Sequence, residues 1–163
     1  MSLFFDFPNR KFQLRELERE TKLSLPSVRN HVKSLEKQGF IKSVKTGVYS
    51  GYSLDSSEKS RVYKRNDLLA RLWETGLIEE IEKACRPDCI VVFGSAAEGR
   101  DDERGDVDIF VQGRSKKISR ESYEKKLNRK ISFLFEPEIG KLNKELINSL
   151  ANGVVLSGFL KVV

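Results

Sequence analysis

The stretch CIVVFGSAAEGRDDERGDVDIFV, residues 89–111, decides the fold of the C-terminal half. Cys89 to Phe93 is a continuous apolar run, the pattern of a buried strand. The run stops at Gly94-Ser95, and small residues follow at Ala96 and Ala97. A highly polar loop, Arg100 to Gly105, comes next, and Asp106-Val107-Asp108 leads into a second apolar strand at Ile109-Phe110-Val111. Gly94 lets the backbone come close to a ligand without a Cβ. Ser95 adds a hydroxyl beside the first free N–H groups of a following helix, so the pair makes a seat for phosphate oxygens. Asp106 and Asp108 stand two apart on one strand, and their side chains therefore share a face. Two carboxylates on one face repel unless a cation lies between them. Hard oxygen donors suit Mg²⁺ (or Mn²⁺), with a nucleoside triphosphate as the natural co-ligand. Where two such ions bind, one activates the attacking oxygen and the other steadies the leaving pyrophosphate.

Gly-Ser, ten residues, then Asp-x-Asp resembles the signature of the DNA polymerase β-like nucleotidyltransferases, and Gly94 through Asp108 resembles their minimal (MNT) branch in prokaryotes. The resemblance implies a small mixed-sheet α/β domain. It makes Gly94 and Ser95 nucleotide-binding and Asp106 and Asp108 both metal ligands and catalytic acids. It also implies a third carboxylate on a later strand. Aligned on the basic pair Arg129-Lys130, that acid would fall at Ser132, which cannot supply a negative ligand or an anionic base. Glu136 has the same strand parity but lies four residues on, about 13 Å at a normal strand rise. Position 98, often Arg in relatives, is Glu98, with Arg100 near enough in sequence to compensate. Nucleotide and metal binding thus follow from the motif more directly than turnover does.

Around this motif, residues 66–84 carry a helical apolar pattern of Leu68, Leu69, Leu72, Trp73, Leu77, Ile78 and Ile81, with Gly76 as a break. Asp55 to Arg61 is polar and reads as a linker. Ser119 to Asn128 reads as a helix before a strand at Ile131–Phe135. Gly140 to Leu150 reads as a further helix capped by Gly153, and Val154–Leu156 as a last strand. The basic residues Arg114, Lys116, Lys117, Arg120, Lys125, Lys126, Arg129 and Lys130 read as a solvated helix face.

The N-terminal third has a different plan. Residues 1–7 suggest a short packing helix. Phe12, Leu14 and Leu17 make one buried stripe up to Glu20, and Thr21-Lys22-Leu23 is a turn. Ser24 is a good N-cap, with Pro26 tolerated in the first turn. Val28, Val32 and Leu35 fall at i, i+4 and i+7, one core face of a second helix that Gly39 ends. Lys42 to Leu54, with a turn at Thr46-Gly47, reads as a two-stranded wing. Helix, turn, capped helix and hairpin resemble the winged helix-turn-helix of prokaryotic transcriptional regulators. In such folds the first half of the second helix enters the major groove. Ser27, Arg29, Asn30 and Lys33 lie on its solvent face; Arg29 could read a guanine edge and Asn30 an adenine edge. Lys33, Lys42 and Lys45 are placed for phosphates.

Charge agrees with that division. Residues 1–65 carry 14 Lys/Arg against 7 Asp/Glu, and the remainder 16 against 17, so the whole surplus of +6 belongs to the N-terminal part. A separate basic excess points to a polyanion there. No apolar run approaches a membrane span, and no targeting segment is read, so a cytoplasmic protein without a membrane partner is expected. Cys85 and Cys89, without histidines nearby, do not make a zinc site and read as reduced thiols. The lone His31 carries no chemistry.

The expectation is therefore an α+β chain. A winged helix-turn-helix at 1–54 is followed by a linker and connecting helix at 55–84 and a nucleotidyltransferase domain at 85–163. Its partner is double-stranded DNA, read by a homodimer. Three functions are compatible with the resemblance. One is a DNA-binding transcriptional regulator with an MNT-type domain, including the antitoxin of a pair with a HEPN-type toxin. The second is an active Mg-dependent enzyme transferring NMP to a protein or nucleic acid. The third is a catalytically inactive, partner-binding regulator.

Overall fold

A computed structural model describes residues 1–46 and 49–162. The chain divides into two compact units, Met1–Val62 and Tyr63–Val163.

The first unit opens with helices α1 (Ser2–Asp6), α2 (Leu14–Thr21) and α3 (Leu25–Lys37), followed by strands β1 (Ile41–Thr46) and β2 (Tyr49–Leu54). Lys22 in the left-handed region ends α2. Gln13 and Glu16 form a capping box at its start. Ser24 occupies the N-cap of α3, but its side chain makes no capping bond. The Leu25 N–H instead donates to Glu18 Oε1 at 3.1 Å. Gly39, at φ +74°, lets the chain leave α3 toward β1. β1 and β2 pair antiparallel from Ile41↔Leu54 inward. The turn expected at Thr46-Gly47 has its tip outside the described residues. Phe12 pairs antiparallel with Tyr52, adding an isolated bridge to the hairpin. Phe4, Phe12, Leu17, Val28, Val32, Phe40 and Ile41 form the core. The Phe4 and Phe12 rings meet edge-on at 5.2 Å, with the Arg10 guanidinium 4.8 Å above Phe12.

Helix α4 (Glu58–Glu74) starts three residues after Asp55, so most of the expected linker is helical. Gly76, at φ +82°, separates it from α5 (Leu77–Cys85). Then come β3 (Cys89–Phe93), the short α6 (Gly94–Ala97), β4 (Val107–Gln112), α7 (Glu121–Leu127), β5 (Ile131–Phe135), α8 (Lys144–Ala151) and β6 (Val154–Gly158). Among the described residues these strands make a four-stranded sheet in the order β5-β4-β3-β6. β4 and β5 run parallel and the other pairs antiparallel, so the sheet is mixed.

One face of the sheet meets α4 and α5. Leu68, Leu72, Leu77, Ile78 and Ile81 share a core with Ile90, Val92, Ile109 and Val111. On the other face, Val91 and Phe110 pack with Ile139 and Leu150. This alternation is the period-two pattern of a strand buried on both sides. The helix expected from Gly140 is shorter. A single 3₁₀ turn occupies Ile139–Lys141, and α8 starts at Lys144 because the Asn143 side chain accepts the Leu146 N–H at 2.8 Å. Asn152, not Gly153, stands at its C-cap; a Cβ on Gly153 would fall 2.6 Å from the Val92 carbonyl oxygen. No described helix is long and apolar enough to cross a membrane.

Candidate functional site

The four sequence-predicted residues of the phosphate and metal motif come together at one end of the sheet. β3 ends at Phe93, which is paired with Asp108 of β4. The chain then turns through Gly94 at φ +69°, a region that costs any side-chain-bearing residue strain. A Cβ there would also lie 3.0 Å from Asp108 Oδ2. The positive φ favours glycine, and a Cβ would in addition press on the tip of the Asp108 side chain, which would have to shift by a few tenths of an ångström. Ala96 and Ala97 are buried under the turn, whereas Ser95 is exposed. The Arg100 N–H donates to the Ser95 carbonyl at 2.9 Å, closing the turn.

The loop to β4 is held by side chains. Asp102 Oδ1 accepts the Arg104 and Gly105 N–H groups at 2.9 and 3.1 Å. The Val107 N–H donates to the Lys130 carbonyl at 2.8 Å, locking the start of β4 beside the start of β5. Asp106 is exposed and Asp108 half-buried. Glu98 and Arg100 form an exposed ion pair at 3.0 Å, so Arg100 does offset the carboxylate at position 98.

Parallel pairing sets Ser132 directly opposite Asp108, and the Ser132 hydroxyl hydrogen-bonds to its carboxylate. The position expected to hold a third acid is thus adjacent to the pair, and it holds a neutral donor. Glu136 continues past the end of β5, with its N–H donated to the Val111 carbonyl at 3.3 Å. Val111 is three residues along β4 from Asp108. Among the described residues no cluster of three or more His, Cys, Asp or Glu could hold a metal ion.

Electrostatics follow this geometry. Burial pushes the Asp108 carboxyl above the usual carboxylate range, and the Asp106 charge pushes the same way; the Ser132 hydrogen bond opposes both. A raised carboxylate in the folded state means that the folded chain binds more protons than the unfolded one. Stability therefore falls as pH rises from the ordinary aspartate range through the raised value. Asp108→Asn removes this penalty. Above that window the variant without metal should melt roughly 1–3 °C higher than the wild type, and the gap should close at acid pH. Thermal denaturation at several pH values in chelator checks it, and a variant that melts lower at neutral pH would contradict the sign.

Residues 77–157 match the model of the nucleotidyltransferase domain family. This segment is a nucleotidyltransferase domain. The match runs from the start of α5 into β6 and contains Gly94, Ser95, Asp106, Asp108 and Ser132. It leaves Met1–Gly76 unmatched. No curated protein and no solved structure gives a match.

Some residues around the nucleotidyltransferase motif were not legible. Arg129, grouped by sequence with a solvated basic face, is 7% exposed and is not solvated. Its Nε lies 3.6 Å from Asp101 Oδ2. Asp101 looks like its neighbour Asp102 in sequence but is buried and also paired with Lys64 at 2.8 Å. Arg120 donates to the Ile131 carbonyl at 3.0 Å. The sequence signal, charged residues in a loop and on a helix, does not separate these from solvated ones. Cys85 and Cys89 are free, and burial raises both thiols.

In the first unit, Arg29, Asn30 and Lys33 lie exposed on α3, with Ser27 half-buried beside them. Lys42 and Lys45 are exposed on β1; Lys42 also approaches Asp55 at 3.8 Å. The structure brings Arg29 beside Gln13, Arg15 and Ser50, around a shared cavity of about 530 Å³.

Proposed function

We propose that this chain is a DNA-binding regulator whose nucleotidyltransferase domain holds Mg²⁺ (or Mn²⁺) with a nucleoside triphosphate. The observation that carries the nucleotide half is the approach of Asp108 to Gly94. It sets a carboxylate against a turn without a Cβ, with Asp106 two residues ahead, just before β4, close enough for its charge to act on Asp108. The donors fit the ion: they are hard oxygens, and their mutual repulsion is what a bound cation relieves. Asp106 and Asp108 would hold it, and Gly94 and Ser95 would receive phosphate oxygens. When bound, the ion supplies charge neutralisation for the triphosphate. Gly94 keeps the approach open, and Ser132 orients the Asp108 carboxylate through its hydroxyl. A serine there accepts no proton from an attacking acceptor at neutral pH, which favours a binding or sensing role over turnover. Calorimetric titration of the full chain with a non-hydrolysable nucleoside triphosphate, with and without Mn²⁺, tests this half. Binding that ignores the metal would rule it out.

The DNA-binding half rests on the first unit. Three helices, a β-hairpin and the Phe12–Tyr52 bridge fit the winged helix-turn-helix plan, in which the bridge supplies a third short strand. Arg29, Asn30 and Lys33 then form the reading face, with Ser27 at its edge and Lys42 and Lys45 on the wing. The basic surplus of the N-terminal part supports it. On a duplex selected from a random pool by the full chain, Arg29→Ala should cost about 1–3 kcal/mol and relax specificity at one base pair. Lys33→Ala should weaken all duplexes alike and reduce the salt slope by about one. A pool that enriches no sequence, with both variants binding like the wild type, would remove DNA from the reading.

A further inference from the structure

The family match begins at Leu77, but the second unit begins at Tyr63. The intervening part of α4 carries two cations that grip the scaffold of the nucleotidyltransferase site. The Lys64 ammonium donates to Asp101 Oδ1 at 2.8 Å and also to the Asp101 main-chain carbonyl. Arg129, just ahead of β5, places Nε 3.6 Å from the other carboxylate oxygen. All three residues are at most 7% exposed. Two turns along α4, Arg71 donates to the Leu127 carbonyl at 2.8 Å, at the end of α7.

Burying three charges is costly, and a well-packed apolar cluster would serve stability as well or better. What the charges achieve is geometry. Residues 99–106 contain no apolar side chain larger than glycine, so hydrophobic packing cannot anchor this loop. Asp101 is its buried side chain, while Glu103, Arg104 and Asp106 are exposed. Asp101 lies five residues ahead of Asp106, and Arg129 lies three ahead of Ser132. One carboxylate thus ties α4, the loop that presents Asp106 and the lead into β5.

We propose that Lys64, Asp101 and Arg129 form a positioning triad that holds the loop so that Asp106 and Asp108 converge on one cation. The proposal rests on the reading that these two aspartates bind Mg²⁺ or Mn²⁺. It makes Lys64, outside the matched segment, a functional part of the site without touching a ligand.

The sign of one substitution separates positioning from charge. Lys64→Met removes a positive charge from the unit, and Coulomb's law alone then strengthens binding of a divalent cation. Loss of positioning weakens it, by about 10–100-fold for a supporting residue. Mn²⁺ binding to the full chain, followed by electron paramagnetic resonance, should show this weakening in Lys64→Met and near-recovery in Lys64→Arg. Amide exchange at Arg104 and Gly105 should rise at least about tenfold, with β3 unchanged. Equal or tighter Mn²⁺ binding, with unchanged loop exchange, overturns the triad. If Lys64→Met does not fold, Lys64→Gln, which keeps a donor but no charge, is read in the same way. If the wild type and Asp106→Ala bind Mn²⁺ alike, the metal reading falls separately. The triad's role toward the cation then falls with it; faster loop exchange in Lys64→Met keeps Lys64, Asp101 and Arg129 as the anchor of the loop, and unchanged exchange removes that as well.

Discussion

Asp106→Ala is expected to lower Mn²⁺-dependent nucleoside triphosphate binding by at least about 100-fold, a loss of about 2.7 kcal/mol, while the fold survives. Asp106 is exposed on the approach to β4, so its truncation removes no packing. Exposed substitutions of this kind usually change stability by less than about 0.5 kcal/mol. Here the change should be neutral or favourable, because the Asp106 charge is one of the two causes that raise the Asp108 carboxyl. Loss of metal-dependent binding with an unchanged or higher melting temperature is therefore the signature of a ligand. Calorimetry and thermal denaturation of the same preparation check both halves. Wild-type affinity in the variant would mean that Asp106 is only a solvated loop residue.

The second large effect is expected from a gain. Ser132 stands opposite Asp108 in the parallel register, with its hydroxyl already on the carboxylate. Ser132→Asp therefore places a third carboxylate on the strand position directly opposite Asp108. Mn²⁺ affinity should rise about tenfold, or about 1.4 kcal/mol. Mg²⁺-dependent release of labelled pyrophosphate from a nucleoside triphosphate should rise about 10²-fold or more, the scale of a positioned acid–base group. The metal-free variant should be less stable than the wild type, increasingly so as pH rises through the carboxylate range, because three like charges then share one face. If the substitution changes neither metal affinity nor pyrophosphate release, then an acid at position 132 does not govern the chemistry of this site. If it raises affinity alone, the domain lacks an acceptor site as well.

These two expectations draw on different layers of information. Asp106 and Asp108 were readable as neighbours because they stand two apart in the chain, although β4 starts only at Val107 and Asp106 lies just ahead of it. The turn at Gly94 was readable because an apolar run ended in Gly-Ser. The helices of the first unit followed the same local logic: Val28 and Val32 are buried on α3 as their spacing required. Where local logic misplaced an element, a specific neighbour decided. Asn143 captured the Leu146 N–H and moved the start of α8 past Gly140. Ser24 stands at the N-cap of α3 without a capping bond, and Glu18 from α2 accepts the first N–H of the helix, that of Leu25. Polar residues at 58–61 joined α4 although their composition suggested a linker.

By itself the sequence determined the strand–turn–strand motif, the two-residue spacing of its carboxylates, the uneven charge and the amphipathic helices. All of these depend on residues within one or two turns of each other, where backbone geometry leaves few choices. Only the tertiary structure decided that Ser132 faces Asp108, and that Asp101, not Asp102, goes inside to meet a lysine 37 positions away. Both depend on pairing between distant segments. A charged side chain is buried or solvated according to which partner the fold brings to it, and no local pattern of residues encodes that partner.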